Sequence, residues 1–268
     1  MKLKGAQILL KMIKEQGVDT IFGYPGGAVI DIYDALHATP ELRHILVRHE
    51  QSAVHAADGY ARAKGSVGVA LVTSGPGATN TITGIASAFM DSIPVVIFTG
   101  QVPTAMIGND AFQEVDTVGI TRSCTKHNYL IKDPRQLAHT IKEAFYLAQS
   151  GRPGPVLVDL PKDIMAAMID FEDPGPIEMK SYKPTYHPNK KQLPKVVELI
   201  KQAKQPIILS GGGVVSSKAS RQLTNLARMI RTPVTATLMG LGTFPGSDPL
   251  WLGMPGMHGT YRANMSIS

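Results

Sequence analysis

A chain of 268 residues with 43% hydrophobic and 18% charged side chains has ordinary globular composition and is long enough for one full domain and part of another. Its longest apolar runs, such as 67–72 and 94–98, are strand-sized and far short of the roughly 20 residues that span a membrane, so neither disorder nor a membrane span is expected. The single cysteine, Cys124, excludes an intrachain disulfide, and the net charge of +6 gathers after Pro176, where 12 basic and 3 acidic residues stand without the interleaved aromatics of a nucleic-acid surface.

In chain order, Met1 to Gly17 places Ile8, Leu9, Met12 and Ile13 on one helical face and lacks the apolar centre of a secretory signal. It is predicted as the first helix of a cytoplasmic protein. A short strand at 20–22 and β-rich runs at 44–48, 67–73, 95–99 and 156–160 follow, each separated from the next by enough chain for a helix. These runs are apolar throughout, as are strands covered by helices on both faces. An α/β fold with a doubly wound parallel sheet is predicted over 1–172. Pro174, Pro176, Pro184, Pro188 and Pro194 make 173–194 a linker. A helix at 195–203, a strand at 206–210, the turn Gly211-Gly212-Gly213, a helix to Ile230 and a strand at 233–237 then begin a second α/β domain over 195–268. Two strands are too few for a two-sided core, so this domain is expected to be incomplete.

Glycine-bearing turns are predicted after three strands, at Gly23 to Gly27, Ser74 to Gly77 and Gly100-Gln101. Such turns admit close ligand approach, and the helices after them offer free N–H groups. Neither the dinucleotide fingerprint nor the P-loop pattern occurs, so the cofactor is of another kind. Glu50 lies where the strand 44–48 gives way to a helix. On the residues alone it either compensates the helix dipole and caps it, or meets an apolar ligand and shares a proton with a ring nitrogen. His37, His44, His49 and His55 form no metal-binding pattern, and no metal ligand is assigned.

Arg48-His49-Glu50-Gln51, Asp58-Gly59-Tyr60-Ala61-Arg62 and Thr73-Ser74-Gly75-Pro76-Gly77-Ala78-Thr79-Asn80 resemble the pyrimidine-binding domain of thiamine-diphosphate enzymes. Phe22 to Gly27, Ala111 to Asp116 and Gly151 to Val156 narrow the resemblance to the acetolactate synthases, and it covers essentially the whole chain. The resemblance implies a transferase of branched-chain amino acid synthesis. Such an enzyme decarboxylates pyruvate on thiamine diphosphate and joins the two-carbon unit to pyruvate or 2-ketobutyrate.

It further implies that Glu50 meets the aminopyrimidine ring, with Gln113 and the close-approach glycines Gly26 and Gly27 at the catalytic centre. Tyr24, Pro76 and Asn80 would hold the cofactor, while Phe112 and Lys162 would line substrate access. Arg152, Gly211, Gly212, Gly213, Thr237, Leu238, Met239, Gly256, Met257 and His258 would meet FAD. Complete members of the family carry a further domain, with a Gly-Asp-Gly motif, that holds the diphosphate through Mg2+; that motif does not occur in these residues. The chain is therefore expected to be an N-terminal fragment, inactive alone, of a homodimer or tetramer that can take a small regulatory subunit. Pro255 departs from the family's aliphatic residue. A related thiamine-diphosphate decarboxylase or pyruvate oxidase, and a non-catalytic flavin-binding remnant, are the alternative readings.

Overall fold

Six strands pair as one parallel sheet in the computed structural model, which describes residues Met1–Ser268 in two units, Met1–Tyr186 and His187–Ser268. The first unit contains β1 (Lys2–Lys4), β2 (Thr20–Tyr24), β3 (Arg43–Leu46), β4 (Gly68–Val72), β5 (Val95–Gln101), β6 (His127–Leu130), β7 (Val156–Pro161) and β8 (Met168–Asp170). Its helices are α1 (Gly5–Glu15), α2 (Ile30–His37), α3 (Glu50–Lys64), α4 (Pro76–Thr79), α5 (Ile82–Asp91), α6 (Thr117–Thr121), α7 (Leu137–Gln149) and α8 (Lys162–Ala166). The sheet order is β3-β2-β4-β5-β7-β6, with every neighbouring pair parallel.

Every residue of β4, β5 and β7 is buried, which is why these strands read as continuous apolar runs and not as alternating ones. Ile8, Leu9, Met12 and Ile13 of α1 are buried with Ile141, Ala144 and Phe145 of α7, and the Phe145 ring lies 6.4 Å from that of Phe98 on β5. Each aliphatic side chain so buried contributes about 1.5–3 kcal/mol. The helix α3 begins where His49 Nδ1 accepts from the amide of Gln51 at 3.1 Å. It ends at Gly65, whose φ of 70° is the left-handed stop that glycine makes without strain.

Several element boundaries differ from the sequence reading. Residues 1–17 are not one helix, because Lys2–Lys4 pairs antiparallel with Met168–Asp170 before α1 begins. Gly100 and Gln101 are the last residues of β5 and are buried, so they form no turn. Gly100 is small for another reason: a Cβ there would stand 2.7 Å from Val29 Cγ1. The strand β6, with sequence HNYL, carries too little apolar signal to be seen and occupies the sheet edge. In the segment after β8, the Tyr182 hydroxyl accepts from Lys126 Nζ at 2.9 Å, and the Gly151 amide donates to the Tyr186 hydroxyl at 3.1 Å.

The second unit contains α9 (Leu193–Gln202), β9 (Ile208–Ser210), α10 (Gly212–Ser216), α11 (Ser220–Ile230), β10 (Val234–Ala236), β11 (Trp251–Gly253) and α12 (Tyr261–Ile267). Its sheet has three parallel strands in the order β11-β10-β9, one more than the sequence revealed. The helix expected up to Ile230 is broken before Ser220, where Lys218 takes a φ of 54°. Ala227, Val234 and Phe244 form its buried cluster, with the Phe244 and Trp251 rings stacked at 6.3 Å. No helix in either unit is long and apolar enough to cross a membrane.

Candidate functional site

The order β3-β2-β4 means that the chain leaves β2 toward one side of the sheet and returns on the other. In open α/β sheets, ligands bind at such a reversal, beyond the carboxyl ends of the strands. Two glycine-bearing loops flank it, after β2 and after β4. They touch, since a Cβ on Gly26 would stand 2.5 Å from Thr73 Cβ and 2.6 Å from its Oγ1. Gly26 is extended, with φ of −171°, so it is required for approach and not for backbone conformation. A Cβ on Gly27 would meet nothing within 4 Å, which leaves that position facing open space.

The third contribution comes from β3, beyond which Glu50 opens α3. Its side chain turns inward: Glu50 Oε2 accepts from Asn80 Nδ2 at 2.8 Å, and Oε1 lies 3.4 Å from where a Cβ on Gly77 would sit. Capping of α3 falls to His49, not to Glu50, which removes one of the two bland roles open to this carboxylate. Gly77 is also tight against Thr73, whose Cγ2 would lie 2.7 Å from an added Cβ. Glu50, Asn80, Gly26, Thr73 and Gly77 thus form one cluster. Thr73 Oγ1 is buried within it and has no hydrogen-bond partner, an arrangement that ordinarily marks a place where a ligand or water completes the bonding.

Gln113 joins from a different direction. It sits in the loop after β5 with φ of 58°, and its carbonyl oxygen would be 2.4 Å from a Cβ on Gly75, whose own φ is 54°. Pro76 is the first residue of α4, and Tyr24 ends β2 at 40% exposure. Phe112 is 86% exposed on the Gln113 loop, and the half-buried Lys162 opens α8 just past β7. These residues share the carboxyl edge. Arg152 does not: it precedes β7, at the amino edge, where its Nε donates to Ser92 Oγ at 2.7 Å.

In the second unit, Gly211-Gly212-Gly213 follows β9, Thr237-Leu238-Met239 follows β10, and Gly256-Met257-His258 follows β11, so all three loops lie at one edge of the small parallel sheet. A Cβ on Gly212 would be 3.2 Å from Met239 Cβ, which puts the first two loops in direct contact. The Gly256 loop is held by Asn264, whose Oδ1 accepts from the Gly256 amide at 2.7 Å. Met257 is 91% exposed.

Thr73 carries no signal of its role in the sequence, because a threonine between the end of an apolar strand and a glycine turn has no distinctive spacing. Nor does the sequence mark a buried carboxyl on β7, Asp159, which is 1% exposed and pushed up to about 7, chiefly by burial.

Residues 3–120 match the model of the thiamine pyrophosphate enzyme N-terminal TPP binding domain, and residues 193–268 match that of the thiamine pyrophosphate enzyme central domain. The chain belongs to the thiamine pyrophosphate enzymes. Within that family it is similar to the acetolactate synthase large subunit of Haemophilus influenzae, with 50% identity over 99% of this chain and 47% of the relative. It is also similar to the isozyme 3 large subunit of Escherichia coli, with 52% identity over 99% of this chain and 46% of the relative. The probable acetolactate synthase large subunit of Methanocaldococcus jannaschii is 51% identical over 99% and 45%. The chain spans about half the length of the curated relatives it matches. The match to the N-terminal TPP binding domain spans every residue of the Glu50 cluster.

Proposed function

We propose that this chain forms the part of an acetolactate synthase that receives the pyrimidine ring of thiamine diphosphate, with Glu50 as its catalytic carboxyl. The observation that carries the reading is the inward-turned Glu50 side chain, held by Asn80 and close against Gly77, where no side chain intervenes. The unpartnered hydroxyl of Thr73 and the open space at Gly27 support a ligand at this edge. When bound, thiamine diphosphate supplies the electron sink that decarboxylation of a 2-ketoacid needs. Asn80 fixes Glu50 Oε2, and Glu50 holds or releases a proton at Oε1 toward a ring nitrogen. Tyr24, Pro76 and Gln113, at the same edge, are assigned to the cofactor ring, while Phe112 and Lys162 line the approach of pyruvate.

The glycine loops of the second unit offer backbone N–H groups to FAD. Mg2+ and the diphosphate are assigned to the part of the relatives' length that this chain does not span. Pyruvate and 2-ketobutyrate as substrates, a cytoplasmic location and assembly as a homodimer or tetramer belong to the same proposal. A small regulatory partner is supported by the relatives' description as large subunits. The 268 residues assayed alone are expected to make no acetolactate.

The test is Glu50→Gln in the protein expressed from its complete reading frame, supplied with pyruvate, thiamine diphosphate, FAD and Mg2+. Acetolactate formation should fall by about a hundredfold or more, the usual contribution of a positioned proton-transfer group. Undiminished formation in the variant, or a parent protein that releases acetaldehyde or acetate in place of acetolactate, would sink the proposal.

A further inference from the structure

Gln101 ends β5 at 3% exposure, and its carboxamide is fully used. Nε2 donates to Asp159 Oδ2 at 2.9 Å and to the carbonyl oxygen of Val115 at 3.0 Å, while Oε1 accepts from the Val102 amide at 2.9 Å. Val115 is two residues beyond Gln113, and the bond joins the far end of the loop to the central sheet. The near end is tied separately, where the Thr104 amide donates to Asp163 Oδ1 at 3.0 Å. Between these ties, Glu114 accepts from the amides of Gly108 and Ala111. Gln113 keeps a left-handed φ of 58°, which a non-glycine residue holds only under constraint from its surroundings.

We propose that Gln101 is the positioning residue that holds the Gln113 loop over the Gly75 turn, and that Asp159 sets the orientation of its amide. A carboxamide left to itself can rotate by half a turn, which would point Oε1 at the Val115 carbonyl and break the tie. Asp159 prevents this, because its Oδ2 accepts from Nε2. Its other oxygen, Oδ1, accepts from the Thr99 hydroxyl at 2.6 Å, and a hydroxyl can donate or accept. Asp159 can therefore serve as acceptor toward Gln101 whether ionised or protonated, with Thr99 adapting. Burial raises it toward neutrality, reinforced by the nearby Asp116 carboxylate and opposed by the bonds from Thr99 and Gln101, yet the tie does not depend on its charge.

The catalytic consequence rests on the function proposed above; the loop geometry does not. The test uses the protein expressed from its complete reading frame, with three variants. Gln101→Met removes the donor at similar volume, and Asp159→Ala removes the orienting acceptor. Asp159→Asn keeps an oxygen for Gln101 and offers its N–H to the Thr99 hydroxyl. In hydrogen exchange, the amides of 108–116 should exchange about threefold to tenfold faster in Gln101→Met and Asp159→Ala, as expected for loss of one buried hydrogen bond, with α1 and α7 unchanged. Asp159→Asn should exchange as the parent does. With pyruvate, kcat should fall in the first two variants more than KM rises, and should be retained in Asp159→Asn. Parent-like loop exchange in Gln101→Met would overturn the proposal, as would loosening by Asp159→Asn equal to that by Gln101→Met. Should the parent itself make no acetolactate, the functional reading fails, and the exchange pattern still decides this one.

Discussion

Gly77→Ala tests how tightly the crevice beside Glu50 is built, and the structure predicts that its sign depends on a neighbour. Gly77 lies in α4 with ordinary helical backbone, where alanine is favoured over glycine by about 0.5–1 kcal/mol. Against that gain, the new Cβ would stand 2.7 Å from Thr73 Cγ2, well inside normal contact, and overpacking of this kind costs about 1–3 kcal/mol. The single variant should therefore be destabilised by as much as about 2 kcal/mol. Thr73→Ser removes that methyl, losing about 0.8 kcal/mol of burial on its own. The closest remaining atoms are then Glu50 Oε1 at 3.4 Å and Thr73 Cβ at 3.6 Å, both ordinary contacts. In the Thr73→Ser background, Gly77→Ala should turn stabilising by about 0.5 kcal/mol or more. Urea denaturation of the four proteins, followed by far-UV circular dichroism, gives the coupling directly. A coupling below about 0.5 kcal/mol would refute the packing account. Thiamine diphosphate binding should stay weakened in the double variant, because the added methyl still occupies space beside the Glu50 carboxylate.

Other perturbations read different parts of the fold. Asp159 is raised from its ordinary 3.8 to about 7 in the folded chain, so its contribution to stability is fully present below about pH 4 and is lost as pH rises toward 7. Asp159→Asn should abolish that decline, and a parent-to-variant difference in urea stability that stays constant from pH 4 to 7 would contradict the assignment. Arg62 bridges α3 and α5 through Asp58, only 6% exposed, and Asp91. Arg62→Met leaves the Asp58 carboxylate without this partner and should cost about 1–3 kcal/mol, discounted for the partial exposure of the guanidinium; an unchanged thermal midpoint would count against it. Gly65→Ala places a side chain at φ of 70° and should cost about 1–2 kcal/mol, visible as a lowered urea midpoint.

How much could be read in the residues depended on whether a contact was local. Glu50 was legible because a strand-to-helix boundary fixes its place at the sheet edge, and β4, β5 and β7 were legible because full burial leaves continuous apolar runs. The role of Gln101 was not, since glycine followed by a polar residue after an apolar run reads as a turn. Only the packing of Gly100 against Val29, 71 positions earlier, shows why the strand continues. The meeting of Gln113 with Gly75 is equally invisible locally, because its evidence is a missing Cβ on one segment and a left-handed residue on another. β1 and β8 escaped notice because strands of three residues carry no period.

The tie between Lys126 and Tyr182 bears on how the first unit can be handled as a separate piece. Lys126 Nζ donates to the carbonyl oxygens of Leu147 and Ser150 as well as to Tyr182, so one ammonium group gathers the end of α7 and a proline-bearing strap. Cutting the gene soon after β8 would delete the tyrosine while leaving the lysine half-enclosed and short of an acceptor, and the severed piece would expose the Tyr146 ring, which now meets Tyr182 in a T-shaped contact at 6.1 Å. A boundary drawn beyond Tyr186 keeps the lysine, both tyrosines and the glycine amide at 151 in one polypeptide.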